Sequence, residues 1–321
     1  MTSDLHQLIV RRLLQIPIIL FLVSIIVFLM IHLIPGGPIE GLLGQFASEE
    51  VKESMRAQYH LDEPLHIQYW LWLTGVLKGS LGESIITNQP VSNMIISRLP
   101  VTLTLVISSL TLSVIIALPA GYISAIHQYE WKDYFATILA FLGLSIPNFF
   151  LAIILIKLFS LSLGILPITS SNLFGNPIET AKVFIMPTIA LGTAIAAQTT
   201  RLLRSEMLEI FNEDYVRVSR AKGLSDKVVN KYIIFRNALI PIITIVALQF
   251  GFLLGGTIVI EQVFALPGLG RLMLKSVLRR DFPVIQAIVL IYATGFIFAN
   301  LIADILYGYV DPRIRYGGEG A

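Results

Sequence analysis

The sequence has 321 residues, of which 55% are hydrophobic and 14% are charged, and its mean hydropathy is +0.78. Soluble domains carry about 25% charged residues, so the composition excludes an ordinary soluble enzyme, and also a disordered chain, which requires low hydrophobicity. The chain has no cysteine, and its net charge of +2 is too small to indicate nucleic-acid binding.

Uncharged apolar stretches long enough to cross a bilayer recur along the chain. A spanning helix needs about 20 apolar residues, because the hydrocarbon core is about 30 Å thick. The first stretch, 13–34, is too long for the apolar part of a signal peptide and has no small-residue cleavage site after it, so we expect a retained helix. Pro147 and Asn148 interrupt the third stretch. The later helices are expected at about 101–126, 134–158, 183–203, 237–260 and 282–306.

The distribution of Lys and Arg predicts the direction of the spans. With the N-terminus inside, short cytoplasmic segments hold 13 of the 23 Lys and Arg residues, eight of them from Arg201 to Arg236. We therefore expect an all-α integral membrane protein with six spans and both termini in the cytoplasm. Its segments would be an N-terminal segment with the first helix at 1–34, an external loop or cap at 35–94, a membrane core at 95–310 containing the cytoplasmic loop 204–236, and a cytoplasmic tail at 311–321.

The segment after the first helix is too long for a plain turn. Within it, residues 65–78 carry Tyr69, Trp70 and Trp72 and could form an amphipathic helix with these rings at the level of the lipid headgroups. We expect a small external cap rather than a separate domain.

Ionisable residues within a membrane often mark ion or proton pathways. The candidates here are His32, Lys157, Glu261 and Asp304, and each lies near the end of an apolar stretch, where interfacial side chains snorkel toward water. The span centres hold no acid or base, which disfavours an ion-coupled carrier. A carrier that uses Asp304 and Glu261 stays open as the alternative.

Small polar residues inside the spans have two possible roles, because they can hydrogen-bond neighbouring helices or line a translocation path. Pro119, Pro187 and Pro241 would bend or break their helices. The candidates for the translocation path are Ser145, Asn148, Gln198, Gln249 and Asn300.

The cytoplasmic loop carries the most information. Leu208, Phe211, Tyr215 and Val218 recur at spacings of three and four residues, which predicts an apolar stripe on one helical face. Gly223 predicts the end of this helix, because glycine accepts the left-handed conformation found there, and Ser225 and Asp226 then predict a new helix start. From the residues alone, two structures are equally favoured: a helix, a turn and a second helix, or a basic loop on the membrane surface.

The stretch 213–225 (EDYVRVSRAKGLS), followed by RNALIP from Arg236, resembles the coupling loop of binding-protein-dependent ABC importer permeases of the dipeptide, oligopeptide and nickel branch. Similar motifs occur along nearly the whole chain. They are RRLL at 11–14, PGGP at 35–38, RLPVTL at 98–103, EQVFALPGLG at 261–270, DFPVIQ at 281–286, ADILY at 303–307 and DPRIR at 311–315.

The resemblance has one departure inside the loop. The wider superfamily has Glu-Ala-Ala where this chain has Arg217 to Ser219, and Leu-Pro where it has Phe235 and Arg236. The class of the partner is unaffected, but a contact made by a glutamate cannot be carried over.

The resemblance implies the type I ABC importer permease fold in a bacterial plasma membrane. It implies a pore formed with a second homologous permease, expected as a heterodimer, two ATPase subunits that bind ATP and magnesium, and an extracellular or periplasmic substrate-binding protein. This chain has no Gly-Lys dipeptide, so it has no phosphate-binding loop of that type. We expect a transporter subunit that is not an enzyme, holds no cofactor or metal and binds no nucleic acid.

The resemblance also implies sites. Residues 214–223 would dock on an ATPase, and the cargo would be di- or oligopeptides, with nickel chelates or antimicrobial peptides as alternatives. The expected coupling residues are Asp214, Tyr215, Arg217, Arg220, Ala221, Lys222, Gly223 and Asp226. The expected contacts with the external binding protein are Glu261, Gly268, Gly270 and Asp281.

Overall fold

A computed structural model describes residues 3–32, 50, 53, 62–170 and 172–310. Most of the expected external cap before residue 62, including the PGGP motif, lies outside the described residues. The tail 311–321 lies outside them as well. The helices are α1 Ser3–His32, α2 Leu65–Leu77, α3 Val91–Ile126, α4 Trp131–Ser145, α5 Asn148–Leu155, α6 Pro177–Ile210, α7 Asp214–Ala221, α8 Asp226–Val228, α9 Phe235–Val263, α10 Leu269–Arg279 and α11 Phe282–Val310. Ile156–Ser162 continues α5 as π-helix, and Val229–Ile234 joins α8 to α9 in the same way.

Five helical segments of the described chain are long and apolar enough to cross a membrane. A sixth crossing is formed if the bent pair Trp131–Ser145 and Asn148–Ser162, which turns by 97°, counts as one span. The five are Arg12–Met30, Val91–Ile126, Pro177–Ile210, Asp226–Val263 and Phe282–Leu306.

The bend between α4 and α5 has a local cause in the sequence. Proline disfavours helical geometry in the residue before it, and Ile146 is extended, with φ −83° and ψ 117°. Pro147 itself has φ −59° and ψ 136°, and α5 begins at the next residue. The interruption predicted at Pro147 is therefore a sharp corner in the chain.

The other prolines do not break their helices. Pro119, Pro187 and Pro241 lie inside α3, α6 and α9, each of which continues through its proline as one helix. Of the predicted bend or break, the break does not occur at these positions. Neighbouring helices and local adjustments can satisfy the carbonyl that a proline leaves free.

Two helices extend well beyond their predicted apolar limits. α3 begins at Val91 rather than near 101, and α6 runs from Pro177 to Ile210 rather than over 183–203. Pro177 suits a first helical position, and the Asn176 side chain caps this end by accepting a hydrogen bond from the Ile178 amide at 3.0 Å. The predicted bounds were those of the uncharged stretches, and both helices continue past the charged residues at those bounds.

Helix α6 lies at the centre of the bundle and packs against α3, α4, α5 and α9. It approaches α3 closely, because a Cβ atom on Gly192 would lie 2.9 Å from the carbonyl oxygen of Ser109. Small residues allow such close approach between membrane helices. The largest buried cluster lies around this contact and includes Leu105, Met186 and Leu253.

Two smaller buried clusters lie at the two ends of the bundle. One contains Met207, Val216, Val229 and Ile234, at the end of the loop 204–236. The other contains Val91, Ile95, Leu269, Leu272, Val284, Ala287 and Ile288, where α10 packs against the first turns of α3 and α11. The first cluster supports the loop predicted to be cytoplasmic, and the second supports the loop between α9 and α11.

Candidate functional site

The helix α7 begins and ends as its sequence predicts. It occupies Asp214–Ala221 with Glu213 as the preceding cap residue. Gly223 has φ +84° and its amide donates to the Arg220 carbonyl at 2.9 Å. This is the left-handed conformation that glycine adopts without strain, so the predicted helix end is confirmed.

The predicted apolar stripe is wrong. The chain turns at 211–213 between α6 and α7, so residues spaced across that turn do not lie on one helix. Tyr215 and Val218 are exposed, whereas Val216 is fully buried against Met207, Val229 and Ile234. Val216 therefore anchors α7, and the chain break explains why the spacing pointed to the wrong residues.

An ion pair closes the turn between α7 and α8. Arg220 Nε lies 3.2 Å from Asp226 Oδ1, and the Arg220 guanidinium lies 5.9 Å from the Phe211 ring centroid. Ser225 takes the predicted position before α8, and its carbonyl oxygen accepts from the Val228 amide at 2.9 Å. Its side chain makes no capping bond.

All eight residues predicted for coupling lie on the exposed surface of this turn. The side chains of Arg217 and Asp214, which are 69% and 95% exposed, lie 3.4 Å apart. Such an exposed pair contributes little to stability, so both charges can be redirected toward a partner. The exposed residues are Asp214, Tyr215, Arg217, Arg220, Ala221, Lys222, Gly223 and Asp226.

A buried ion pair joins α4 to α6. Asp133, at the start of α4, is 3% exposed and accepts from Arg204 of α6 through Nε at 2.7 Å and Nη2 at 2.8 Å. Ser124 Oγ at 2.5 Å and the Tyr129 amide at 3.0 Å donate to the same carboxylate. Sequence reasoning missed this site, because each charge stood just outside a predicted span and nothing in the spacing pairs them.

The four predicted receptor contacts lie at the other end of the bundle. Glu261, Gly268, Gly270 and Asp281 are all buried. Glu261 accepts from Thr102 Oγ1 at 2.7 Å and from the Arg271 amide at 2.9 Å, and a Cβ atom on Gly268 would overlap its carboxylate. These residues shape the loop between α9 and α11, and their contact with a docking protein stays a prediction.

Asp281 has a similar internal role. Its carboxylate accepts from Ser84 Oγ at 2.5 Å and from the Ile85 amide at 3.2 Å. Ser84 Oγ in turn accepts from the Thr87 amide at 3.0 Å. Asp281 thus fixes the loop between α2 and α3 to the turn between α10 and α11.

The five candidates for the translocation path fall into two groups. Gln249 is buried and its side-chain amide lies 3.3 Å from Thr199 Oγ1, which joins α9 to α6, and Asn300 Nδ2 donates to the Phe296 carbonyl at 3.0 Å. Ser145 and Gln198 are exposed, and Asn148 is half-buried at the start of α5. Gln249 and Asn300 therefore have hydrogen-bond partners inside this chain, while the other three side chains are at least partly exposed.

The two acidic residues on which an ion-coupled carrier would depend, Asp304 and Glu261, both make structural contacts. Asp304 Oδ2 lies 3.0 Å from Arg12 Nε, and Glu261 is buried as described. His32 Nε2 lies 3.1 Å from Gln68 Oε1, between α1 and α2, and Lys157 is exposed. Across the ranges that the structure describes, no group of three or more His, Asp or Glu side chains could hold a metal.

Two family profiles together cover most of the chain. Residues 117–316 match the binding-protein-dependent transport system inner membrane component, and residues 5–106 match the N-terminal part of the same component. The chain therefore belongs to the family of binding-protein-dependent transport system inner membrane components. It is a permease subunit of an ABC importer, located in the inner membrane, and it is not itself an enzyme.

The chain is also similar to individual proteins of this family. The chain is 42% identical to the glutathione transport system permease protein GsiC of Escherichia coli and to that of Salmonella paratyphi A, in each case over 96% of this chain and 98% of the relative. It is 41% identical to the protein of the same name from Shigella flexneri over the same shares.

Proposed function

We propose that this chain carries di- or oligopeptides through an ATP-driven importer and is driven by ATPase subunits that contact the exposed turn 214–226. The observation that carries the proposal is the division of α7 into two faces. Val216 is buried in the bundle, while all eight expected coupling residues are exposed. A helix held at one face and open at the other can receive a partner and pass its movement to the spans.

The path for that movement is short. Val216 packs against Met207 near the end of α6 and against Val229 and Ile234, which lead into α9. Arg204 then ties α6 to Asp133 at the start of α4. Packed elements move as rigid bodies between alternative packings, so a push on α7 reaches three of the candidate spans together.

The remaining components follow from the family. Membership in a binding-protein-dependent system implies ATPase subunits, a second permease and a binding protein. We propose two ATPase subunits, which bind ATP and magnesium, a homologous second permease that completes the pore, and six spans with both termini in the cytoplasm. Ser145, Asn148 and Gln198 are the path candidates that remain accessible in this chain.

The peptide cargo is supported by the relatives that are named as glutathione permeases. Their similarity extends over nearly the whole chain, so it includes the loops and the spans together. A dipeptide or a short peptide is therefore the cargo that we propose, in preference to a nickel chelate or an antimicrobial peptide.

The test is reconstitution of the complete importer in liposomes, with uptake of a labelled dipeptide and ATP hydrolysis measured together. Charge reversal in the exposed turn, Arg217→Glu, should weaken ATPase binding and lower uptake by about tenfold. Lys231→Glu is the matched control, because Lys231 is also exposed in the same loop but lies outside the turn. Uptake that persists without ATPase subunits, or uptake of nickel chelates but not of peptides, would contradict the proposal.

A further inference from the structure

Helix α2, Leu65–Leu77, contains no Asp, Glu, Lys or Arg. Asp62 and Glu63 precede it and Lys78 follows it, and all three are exposed. At 1.5 Å per residue the helix is about 20 Å long, which is too short to cross a hydrocarbon core of about 30 Å. The helix therefore combines an apolar sequence with two charged ends, and it is not a further span.

One face of α2 packs against the last turns of α1. The Tyr69 ring centroid lies 5.4 Å from that of Phe28 and 6.2 Å from that of Phe21. The ring of Trp72 lies 6.0 Å from that of Phe28. Tyr69 Oη lies 2.7 Å from Ser24 Oγ, and since Ser24 Oγ donates to the Phe21 carbonyl, Tyr69 is the donor in this contact.

These contacts set the depth of α2 relative to the bilayer. The stretch of α1 that is apolar enough to cross a membrane is Arg12–Met30. Phe28 lies two residues and Ser24 six residues before the end of this stretch, which corresponds to about 3 and 9 Å along the helix. The Tyr69 hydroxyl therefore reaches below the end of the span, to a level where a bilayer consists of acyl chains.

Polar groups at both ends of α2 have partners within the chain. Gln68 is buried, its Nε2 donates to the Glu63 carbonyl at 2.7 Å, and its Oε1 lies 3.1 Å from His32 Nε2. At the other end, the Ser80 amide donates to the Gly75 carbonyl at 2.9 Å. Hydrocarbon has no donors or acceptors, so a helix placed in it has to pair its polar groups internally. Helix α2 meets this requirement at these positions.

The face of α2 that points away from α1 is apolar and exposed. Trp70 and Leu77 are 63% and 78% exposed, and Ile67 and Leu71 are exposed as well. Leu22 on the span α1 is exposed in the same way, so the two helices present side chains of one kind. An exposed apolar patch of this kind marks a contact with a protein or a membrane.

We propose that α2 lies flat in the membrane surface, with Ile67, Trp70, Leu71 and Leu77 among lipid acyl chains and its charged ends in the headgroup region. With the N-terminus in the cytoplasm, as in the proposed function, this surface is the outer leaflet. The contact goes beyond the proposed function, because it concerns the lipid and not the cargo or the ATPase subunits.

The depth and the composition of α2 both favour lipid as the partner of this face. Interfacial helices bury their apolar side about 5–10 Å into the boundary between headgroups and acyl chains, which agrees with the level at which Tyr69 meets Ser24. Trp and Tyr are enriched at that boundary, and Tyr69, Trp70 and Trp72 follow one another within four residues of α2. A short uncharged helix held at this level by a span is surrounded by lipid wherever no other protein covers it.

The test measures the surroundings of single side chains by spin labelling. The chain has no native cysteine, so Ile67→Cys and Leu71→Cys each place one nitroxide on the exposed face of α2. The complete importer is reconstituted in liposomes. Collisions of the label with oxygen, which concentrates in lipid, are compared with collisions with chromium oxalate, which stays in water. Importer without an introduced cysteine gives the background from the other subunits.

Two further positions calibrate the measurement. Ile18→Cys on the exposed surface of α1 is the lipid reference, and Gln89→Cys in the exposed loop between α2 and α3 is the water reference. The ratio of oxygen to chromium oxalate collisions at positions 67 and 71 should exceed the ratio at position 89 several-fold and approach the ratio at position 18. Leu71→Asp combined with Ile67→Cys should lower the ratio at position 67, because a carboxylate resists transfer out of water.

The outcomes separate lipid from the other possible surroundings. Frequent collisions with chromium oxalate at positions 67 and 71 would mean that the face is open to water. Rare collisions with both reagents would mean that protein covers it, either residues 33–61 or another subunit. Both results would overturn the proposal. If one cysteine variant does not assemble with the other subunits, the second gives the same measurement. The collision ratios do not depend on uptake, so a failure of the proposed function and a failure of this inference are separate results.

Discussion

Arg204 of α6 and Asp133 at the start of α4 form a bidentate ion pair, with N–O distances of 2.7 and 2.8 Å. Breaking a buried pair by removing one partner costs more than the pair contributes, because the remaining charge stays desolvated. The carboxylate also accepts from Ser124 and the Tyr129 amide, so three segments meet at one side chain.

Asp133→Asn should therefore destabilise the protein by about 2 kcal/mol, because hydrogen bonds to a charged group are lost and Arg204 is left partly buried. Thermal unfolding of the purified complex in detergent measures the effect as a lower Tm. Lys182→Gln is the control, since it removes an exposed pair with Glu179 and should change the stability by less than about 0.5 kcal/mol. Equal Tm values for Asp133→Asn and the unmodified chain would contradict the role of the pair.

Gly223→Ala should weaken coupling between ATP hydrolysis and uptake. Gly223 has φ +84° with open space around its Cα, so the cost comes from backbone strain of about 1–2 kcal/mol and not from a clash. Relief of that strain would move the end of α7 within the exposed turn. The ratio of peptide transported to ATP hydrolysed in liposomes measures the change.

Gly79→Ala provides the matched control for this prediction. Gly79 has φ +85° and also has open space around it, but it lies between α2 and α3, far from the turn 214–226 in the sequence. The same strain there should leave the transport ratio unchanged. Gly223→Asn should be milder than Gly223→Ala, because asparagine tolerates the left-handed region better.

Val216→Ala and Val218→Ala form a matched pair within α7. Val216 is fully buried and Val218 is exposed, so truncation at 216 should cost about 2 kcal/mol and truncation at 218 should cost close to nothing. Proteolysis of the loop 204–236 measures local opening of α7 directly. Faster cleavage in Val218→Ala than in Val216→Ala would show that the helix is anchored by its other face.

Gly268→Ala should disrupt the loop between α9 and α11, because the added Cβ overlaps the Glu261 carboxylate in a buried site. The expected result is a loss of stability of about 1–3 kcal/mol from overpacking, measured as a lower Tm of the purified complex. Gly256→Ala in α9 is the control, since its added Cβ meets nothing within 4 Å. A neutral Gly268→Ala would mean that the loop can shift away from Glu261.

The sequence predicted the parts of this fold that depend on local chemistry. The helix end at Gly223 and the corner at Pro147 follow from the conformational preferences of single residues, and both occur where expected. Within the described ranges, each of the five helices that could cross a membrane overlaps a predicted apolar stretch. The predicted helices were too short, as in α6, because hydropathy marks only the apolar part of a helix and not its polar ends.

The relations between distant residues could not be read from the sequence. Asp133 and Arg204 are 71 positions apart, and Thr102 and Glu261 are 159 apart, so no local pattern connects them. Glu261 and Asp281 were expected to contact the external binding protein, because the resemblance placed them in its docking loop. Their burial depends on donors supplied by other helices, which only the tertiary arrangement reveals.

The corner at Ile146 and Pro147 constrains what can surround α4 and α5. A helix that turns by 97° interrupts its own backbone hydrogen bonds. The hydrocarbon core of a bilayer has no donors or acceptors for the amides and carbonyls left free. Acyl chains alone cannot cover this elbow. In the working transporter it has to meet a neighbouring polypeptide or a hydrated crevice, which makes it a natural boundary between the oily exterior of the complex and its wet interior.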